Sequence, residues 1–368
     1  MSDAVVREQP AEGELASLVR ERSVIICVGS GGVGKTTVSA TFALAAARAG
    51  RKACVVTVDP ARRLADSLGV ESLPNTPAEV DGDWPGSLHA LMLDTKGTFD
   101  DLVHRYASTP EQAEGILANR LYQNLAGALS GTQEYMAMEK LYELVDSGAF
   151  DVVVVDTPPT RNALDLLDAP RRLTRFLENR LFRALLFPTR MSLKAVGVAA
   201  NALLRTISKV AGAEIVQDAL AFFQAFEGME EGFRTRAGAV RALLSDPDTA
   251  YILVTSPRPD AISEASFFAE KLLEREVRPA ALVVNRIHPH FGPARLSEAP
   301  TEASGAPTAS AALERNLATL NQVADREDAA FAGLAAQVAP APVGRIPLFG
   351  HDVHDLTGLA RTADALFS

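Results

Sequence analysis

The chain has 368 residues and a mass of 39.1 kDa, enough for two average domains or for one large α/β domain carrying an insertion. Hydrophobic residues make up 47% and charged residues 22%, a globular composition with ample apolar area to bury, which excludes disorder as the default state. A net charge of −10 and a pI near 5.2 repel a phosphate backbone at long range and argue against a nucleic-acid partner.

Residues 1–22 read as a polar lead-in with room for one short helix, and their charges leave no apolar core of signal-peptide type. The apolar run Val24–Val28 is the first predicted strand. A glycine cluster follows, then the alanine-rich helical stretch from Lys35 to Ala49, a stop at Gly50 and a second apolar strand from Ala53 to Val58. Together these have the size of one βαβ unit. Further on, short apolar runs at Leu88–Leu93, Val152–Val155, Tyr251–Thr255 and Ala281–Val284 are polar on neither face, which predicts a buried parallel sheet, and Ala261 to Arg275 between the last two is helical.

From 170 to 246 no strand-like run occurs. Phe176, Leu181, Leu185, Leu203, Ile207, Phe222 and Phe226 belong to apolar sets that recur at helical spacing. The expected architecture is therefore α/β, with a mostly parallel, doubly wound sheet in 23–169 and 247–368 and an all-helical insertion at 170–246. Residues 297–313, rich in Ala, Ser, Pro and Thr, predict a mobile surface loop. The stretch Gly350–Ser368 predicts a solvated acidic tail carrying His351 and His354. No run approaches the roughly 18 apolar residues of a membrane span. The two cysteines, Cys27 and Cys54, both lie in β-branched runs, suit a reducing compartment, and cannot form a zinc clip or a three-cysteine arsenite site.

Gly29-Ser-Gly-Gly-Val-Gly34-Lys35-Thr36 satisfies G-x-x-x-x-G-K-[ST] between a predicted strand and a predicted helix, as a phosphate-binding P-loop requires. Glycines such as Gly31, Gly32 and Gly34 let the backbone N–H groups around Val33 turn toward phosphate, and the helix N-terminus adds partial positive charge. Lys35 is the candidate contact to the terminal phosphates, Thr36 the Mg²⁺ ligand, and Thr37 follows in the same turn. Asp156 closes the strand Val152–Val155, the arrangement in which a carboxylate reaches metal from the carboxyl end of a strand, and Thr157-Pro158-Pro159-Thr160 follow it. Asp59 closes the second strand ahead of Pro60 and is the candidate for positioning or activating the attacking water, with an N-cap role as its structural alternative. Asn285 ends another apolar strand, where its amide could match a purine edge or serve as a plain turn residue.

These stretches, with Asp59-Pro60-Ala61, Val283-Val284-Asn285-Arg286 and Arg345-Ile346-Pro347-Leu348, occur in the order found in the arsenical-pump ATPase (ArsA) family, which the chain resembles. That family includes the ATPase that targets tail-anchored membrane proteins. The resemblance implies ATP and ADP as nucleotides, Mg²⁺ held by Thr36, Asp59 and Asp156, and Asp59 and Asp156 in the two switch motifs. Lys35, Asp59 and Asp156 become the catalytic set, and Asn285 and Pro347 flank adenine. It also implies a dimer, of two copies or with a related subunit, that opens and closes with hydrolysis, and a helical region after the second switch that borders a client groove. The chain departs from the family pattern at Ser30, where the loop usually carries a lysine that acts across the dimer, and at Arg161-Asn162, where targeting ATPases commonly have Gly-His. Arg62, Arg63 and Arg161 are candidates to replace the missing cation, a lysine from a related subunit being the alternative.

The reading is an ATP-gated chaperone or targeting factor for hydrophobic segments, cytoplasmic and reaching membranes only through partners, with no nucleic acid and no zinc. The insertion carries Phe182, Leu185, Leu186, Phe187, Met191, Phe222, Phe223, Phe226 and Met229, which would line a groove or pack internally. The alternative is an ATPase subunit that regulates a membrane anion or metabolite transporter, or metabolite homeostasis. A positioning ATPase of the ParA or MinD kind fits less, because the tail is neither membrane-binding nor basic.

Overall fold

The computed structural model describes residues 13–59, 61–120, 122–123, 132–158, 171, 218, 221–222, 225, 227–292 and 309–367. The chain forms two compact units, one of Met1–Leu91, Gly148–Ala163 and Pro247–Ser368, the other of Met92–Ser147 and Leu164–Asp246.

The first unit is built on an eight-stranded sheet of β1 (Val24–Val28), β2 (Lys52–Thr57), β3 (Ala78–Val80), β4 (Ser87–Met92), β5 (Val152–Asp156), β6 (Thr249–Thr255), β7 (Ala281–Ile287) and β8 (Val343–Pro347), in the order β3-β4-β2-β5-β1-β6-β7-β8. Strand β1 runs parallel to both β5 and β6, and the parallel run continues to β2 on one side and through β7 to β8 on the other. The β3–β4 pair at the edge is antiparallel. Every residue of β1, β5 and β6 is buried, the signature of a sheet covered on both faces. The strand order diverges at β1, so its carboxyl end is a topological switch point, where open α/β sheets bind ligands.

Strand β1 has the predicted bounds, whereas β7 runs past Val284 to Ile287. The reason is backbone pairing: β8 continues the ladder as far as Ile287↔Pro347, and Leu348 N–H donates to the Ile287 carbonyl at 2.8 Å. Hydrogen bonds rather than apolarity fix that end.

Helix α1 (Glu14–Glu21) buries Leu15, Leu18 and Val19, so this part of the polar lead-in belongs to the sheet unit. Helix α2 (Lys35–Arg48) is apolar nearly all round. It follows β1 and is buried over most of its length. The short α3 (Arg63–Leu68) comes after β2. Then come α4 (Thr95–Tyr106), α5 (Pro110–Leu117), α6 (Thr132–Asp146), α7 (Glu230–Leu244), α8 (Pro259–Leu273), α9 (Ala309–Val338) and α10 (Leu356–Phe367).

Two expectations are corrected here. Residues 309–313 begin α9 rather than ending a loop, while 293–308 lie outside the described residues. The acidic tail is not wholly solvated. Helix α10 buries Leu359, Thr362, Ala363 and Leu366, and Phe367 meets Phe42 of α2 edge-on with ring centroids 5.2 Å apart. The outer side of α2 is apolar, and α10 covers it.

The second unit takes in 92–147 as well as 164–246, a broader range than the insertion expected at 170–246, and its described elements after β4 are helices. The reason lies in its core. Phe99 and Tyr106 of α4 meet Phe233 of α7 with centroids 6.4 and 5.1 Å apart, and Tyr122 packs 5.2 Å from Phe99. Helices before β5 and after 229 thus share one aromatic cluster. Arg236 Nε donates to Glu139 Oε2 at 2.7 Å within it. Of the nine apolar residues proposed for a groove, Phe222 and Met229 are described and both are buried, at 8% and 1% exposure; the other seven lie outside the described residues.

Candidate functional site

The loop between β1 and α2 is shaped by two close approaches. A Cβ on Gly29 would sit 2.1 Å from the Val254 carbonyl oxygen of β6, so only glycine lets β1 turn there. Gly34 has φ 92°, ψ 28°, and a Cβ there would stand 2.2 Å from Asn285 Nδ2. Lys35, at the start of α2, is buried, and its Nζ donates to the Ser30 carbonyl at 2.8 Å. Burial lowers its pKa below the ordinary lysine value, while Asp156 and Asp59 pull it back upward.

Asp156, the last residue of β5, is buried beneath the loop. Thr36 Oγ1 and Thr57 Oγ1 each donate to its Oδ2 at 2.8 Å, and its Oδ1 has no hydrogen-bond partner. Desolvation pushes the carboxyl up to about 6, opposed by those two hydroxyl donors and by Lys35. Thr157 Oγ1 donates to the Cys27 carbonyl at 2.7 Å and fastens this strand end to β1. Burial pushes the Cys27 thiol up to about 12, which makes it an inert core residue.

A cavity of about 450 Å³ opens over the loop. Its walls include Gly32, Gly34, Lys35, Thr36, Thr37, Asp59, Asn285 and Pro347. Of the remaining residues singled out from the sequence, Val33 is buried, Gly31 is exposed, and Asp156 lies behind Thr36 instead of in the wall. Asp59 Oδ1 accepts from Ala61 N–H at 2.9 Å, and Arg63 Nη1 lies 3.4 Å from its Oδ2. Asn285 sits inside β7 and not in a turn, its Nδ2 donating to the Val33 carbonyl at 2.8 Å. Arg286 has φ 64° at the irregularity between Asn285 and Ile287, so two successive side chains reach the same loop, Arg286 Nη1 lying 3.4 Å from the Gly32 carbonyl. Of the arginines proposed to replace the missing lysine, Arg63 lines the cavity, while Arg161 lies outside the described residues, as do Pro60 and 159–162.

Several site residues were not foreseen. Leu348, Phe349, His351, Asp352, Val353, His354 and Thr362 contribute to the cavity, so the segment expected to be a solvated tail forms part of its wall. The signal was the spacing Leu356, Leu359, Ala363, Leu366, Phe367, which marks one apolar helical face and anchors the wall segment from its far side. Thr57 was read only as part of an apolar strand.

The donor set suits a magnesium ion. A threonine hydroxyl already donating to a carboxylate, with the second carboxylate oxygen buried and unpartnered, supplies the one or two protein oxygens that Mg²⁺ takes beside water and phosphate. Among the described residues no group of three or more His, Cys, Asp or Glu could hold a metal alone. Among them, too, no helix is long and apolar enough to cross a membrane.

The sequence pattern of the family described as anion-transporting ATPase matches residues 22–293. An uncharacterized protein of Streptomyces coelicolor is 32% identical over 271 residues, 73% of this chain and 64% of that protein. The ATPase get3 of Aspergillus terreus is 32% identical over 48% of this chain and 52% of its own length. The ATPase get3 of Aspergillus niger is 27% identical over 78% of this chain and 80% of its own length. The chain thus spans between half and two thirds of the first two relatives and four fifths of the third.

Proposed function

Because the chain belongs to the anion-transporting ATPase family, we propose that it is a Mg²⁺-dependent ATP hydrolase whose nucleotide cycle opens and closes a dimer to hold and release a hydrophobic protein segment. The observation that carries the hydrolase reading is the Thr36–Asp156 contact at 2.8 Å beneath a glycine loop, with Asp156 Oδ1 unpartnered.

The loop amides and Lys35 bind the triphosphate, and Lys35 gives up the Ser30 carbonyl to reach the terminal phosphates. Thr36 and Asp156 would hold magnesium, which when bound would neutralise charge on the phosphate oxygens. Asp59 orients the attacking water and accepts its proton, and Arg63 supplies positive charge beside it. Asn285 and Pro347 border the base. The part of the helical unit that follows the second switch motif receives the client, a reading supported by that place in the chain. The family description favours a second reading, an ATPase subunit that regulates a membrane anion transporter.

Titration calorimetry with ADP and magnesium tests the common premise. Wild-type protein takes up nucleotide, and Lys35→Ala loses ATP turnover by roughly 10²–10³-fold. No uptake by wild-type protein would end both readings. Copurification in the ATP state then separates them, helical apolar peptides for the first and a transporter subunit for the second.

A further inference from the structure

Thr57 ends β2, two residues before Asp59, and its Cα is in register with Asp156 on the neighbouring strand. It is 2% exposed, in a strand whose other interior positions are Ala, Cys and Val, so packing alone would be satisfied by valine at this place. Its hydroxyl makes two bonds at once. Oγ1 donates to Asp156 Oδ2 at 2.8 Å and accepts the Asp59 N–H at 3.2 Å. Val58 N–H adds a backbone bond to the Asp156 carbonyl at 3.3 Å.

A carboxylate anchored by one hydroxyl can still turn about its terminal torsion, which is broad for aspartate. Thr36 and Thr57 approach the same oxygen from two different elements, and together they leave Oδ1 as the open one. We propose that Thr57 is a positioning residue that locks the Asp156 carboxylate plane and ties the backbone of Asp59 to it, so that the metal-facing oxygen and the water-facing carboxylate shift as one body. This rests on the nucleotide reading given above. Outer hydrogen-bond partners of this kind hold a ligand's geometry ready before the ion arrives.

Thr57→Val keeps the shape and removes the hydroxyl; Thr57→Ser keeps the hydroxyl. ADP uptake is measured by calorimetry across a magnesium series and again with the metal chelated. Thr57→Val is expected to raise the half-saturating magnesium concentration about 10–100-fold while metal-free ADP affinity stays within about twofold, and Thr57→Ser to follow wild type in both. An unchanged magnesium response in Thr57→Val overturns the inference, as does an equal loss with and without metal, which would mark a purely structural role. Thr57→Ala carries the same comparison should the valine variant fail to give a cooperative melt. Absence of ADP uptake by wild-type protein would instead overturn the nucleotide reading, and this inference with it.

Discussion

Glu139 and Arg236 in the helical unit are buried as deeply as Lys35 and Asp156 in the sheet unit, all four lying between 1% and 9% exposure. Their partners differ. Arg236 Nε donates to Glu139, the Tyr135 hydroxyl donates to the other oxygen of the same carboxylate, and the Arg236 guanidinium stacks 4.0 Å over the Tyr142 ring. In the sheet unit Lys35 turns to a carbonyl of its own loop, and Asp156 keeps one oxygen without any partner. Equal depth with opposite completeness separates the two roles. A closed ionic cluster specifies packing, whereas an open one is what a ligand-binding site would leave for its ligand to complete.

Removing one member of the closed cluster should have the largest effect on stability. Glu139→Leu strands a buried guanidinium and is expected to lower unfolding free energy by about 3–5 kcal/mol, while Glu139→Leu with Arg236→Met returns near wild type. Denaturant unfolding followed by circular dichroism reads both, and a single-variant loss below about 1 kcal/mol would class the pair with exposed ones and erase the contrast.

The open cluster should behave in the reverse sense. Asp156 titrates near 6 in the folded protein and near 3.9 when unfolded, so between those values the folded state holds a proton that the unfolded state has lost. Stability from this group is present below about pH 4 and lost as pH rises through about 6, a loss of roughly 3 kcal/mol in nucleotide-free protein. Asp156→Asn removes that loss, so the gap between variant and wild type should widen in the variant's favour from pH 4 to pH 7. A pH-independent gap would mean that the carboxylate is not held at a cost.

Gly34→Ala is expected to destabilise by about 1–3 kcal/mol, from a left-handed backbone and a collision with the Asn285 amide. Combining it with Asn285→Ala separates the two, because only the collision is relieved and appears as a coupling in the double-variant cycle. Full additivity would remove the steric link between β7 and the glycine loop. The smallest effect is expected at Cys27, whose thiol, pushed up to about 12, should resist alkylation in native protein at pH 8. Modification as fast as in unfolded protein would contradict its burial.

The sequence by itself determined the glycine loop, the strands that carry it and the carboxylates at their ends, because these depend on local spacing: glycines at fixed offsets, a lysine and threonine opening a helix, and apolar runs closed by aspartate. Family order then tied distant stretches such as Asp59, Asp156 and Asn285 to one site. Tertiary structure alone decided what no local pattern encodes. Thr57 looks like strand filler until β5 brings Asp156 beside it. The segment from Gly350 to His354 looks like tail until α10 docks against α2 and holds it at the cavity. Residues 92–147 join the helical unit because Phe99 and Phe233 meet across more than a hundred positions of chain. Hydrogen-bond partners and packing faces are contributed by separate parts of the chain, so a residue's chemistry can be read in place but its partner is known only once the chain has closed.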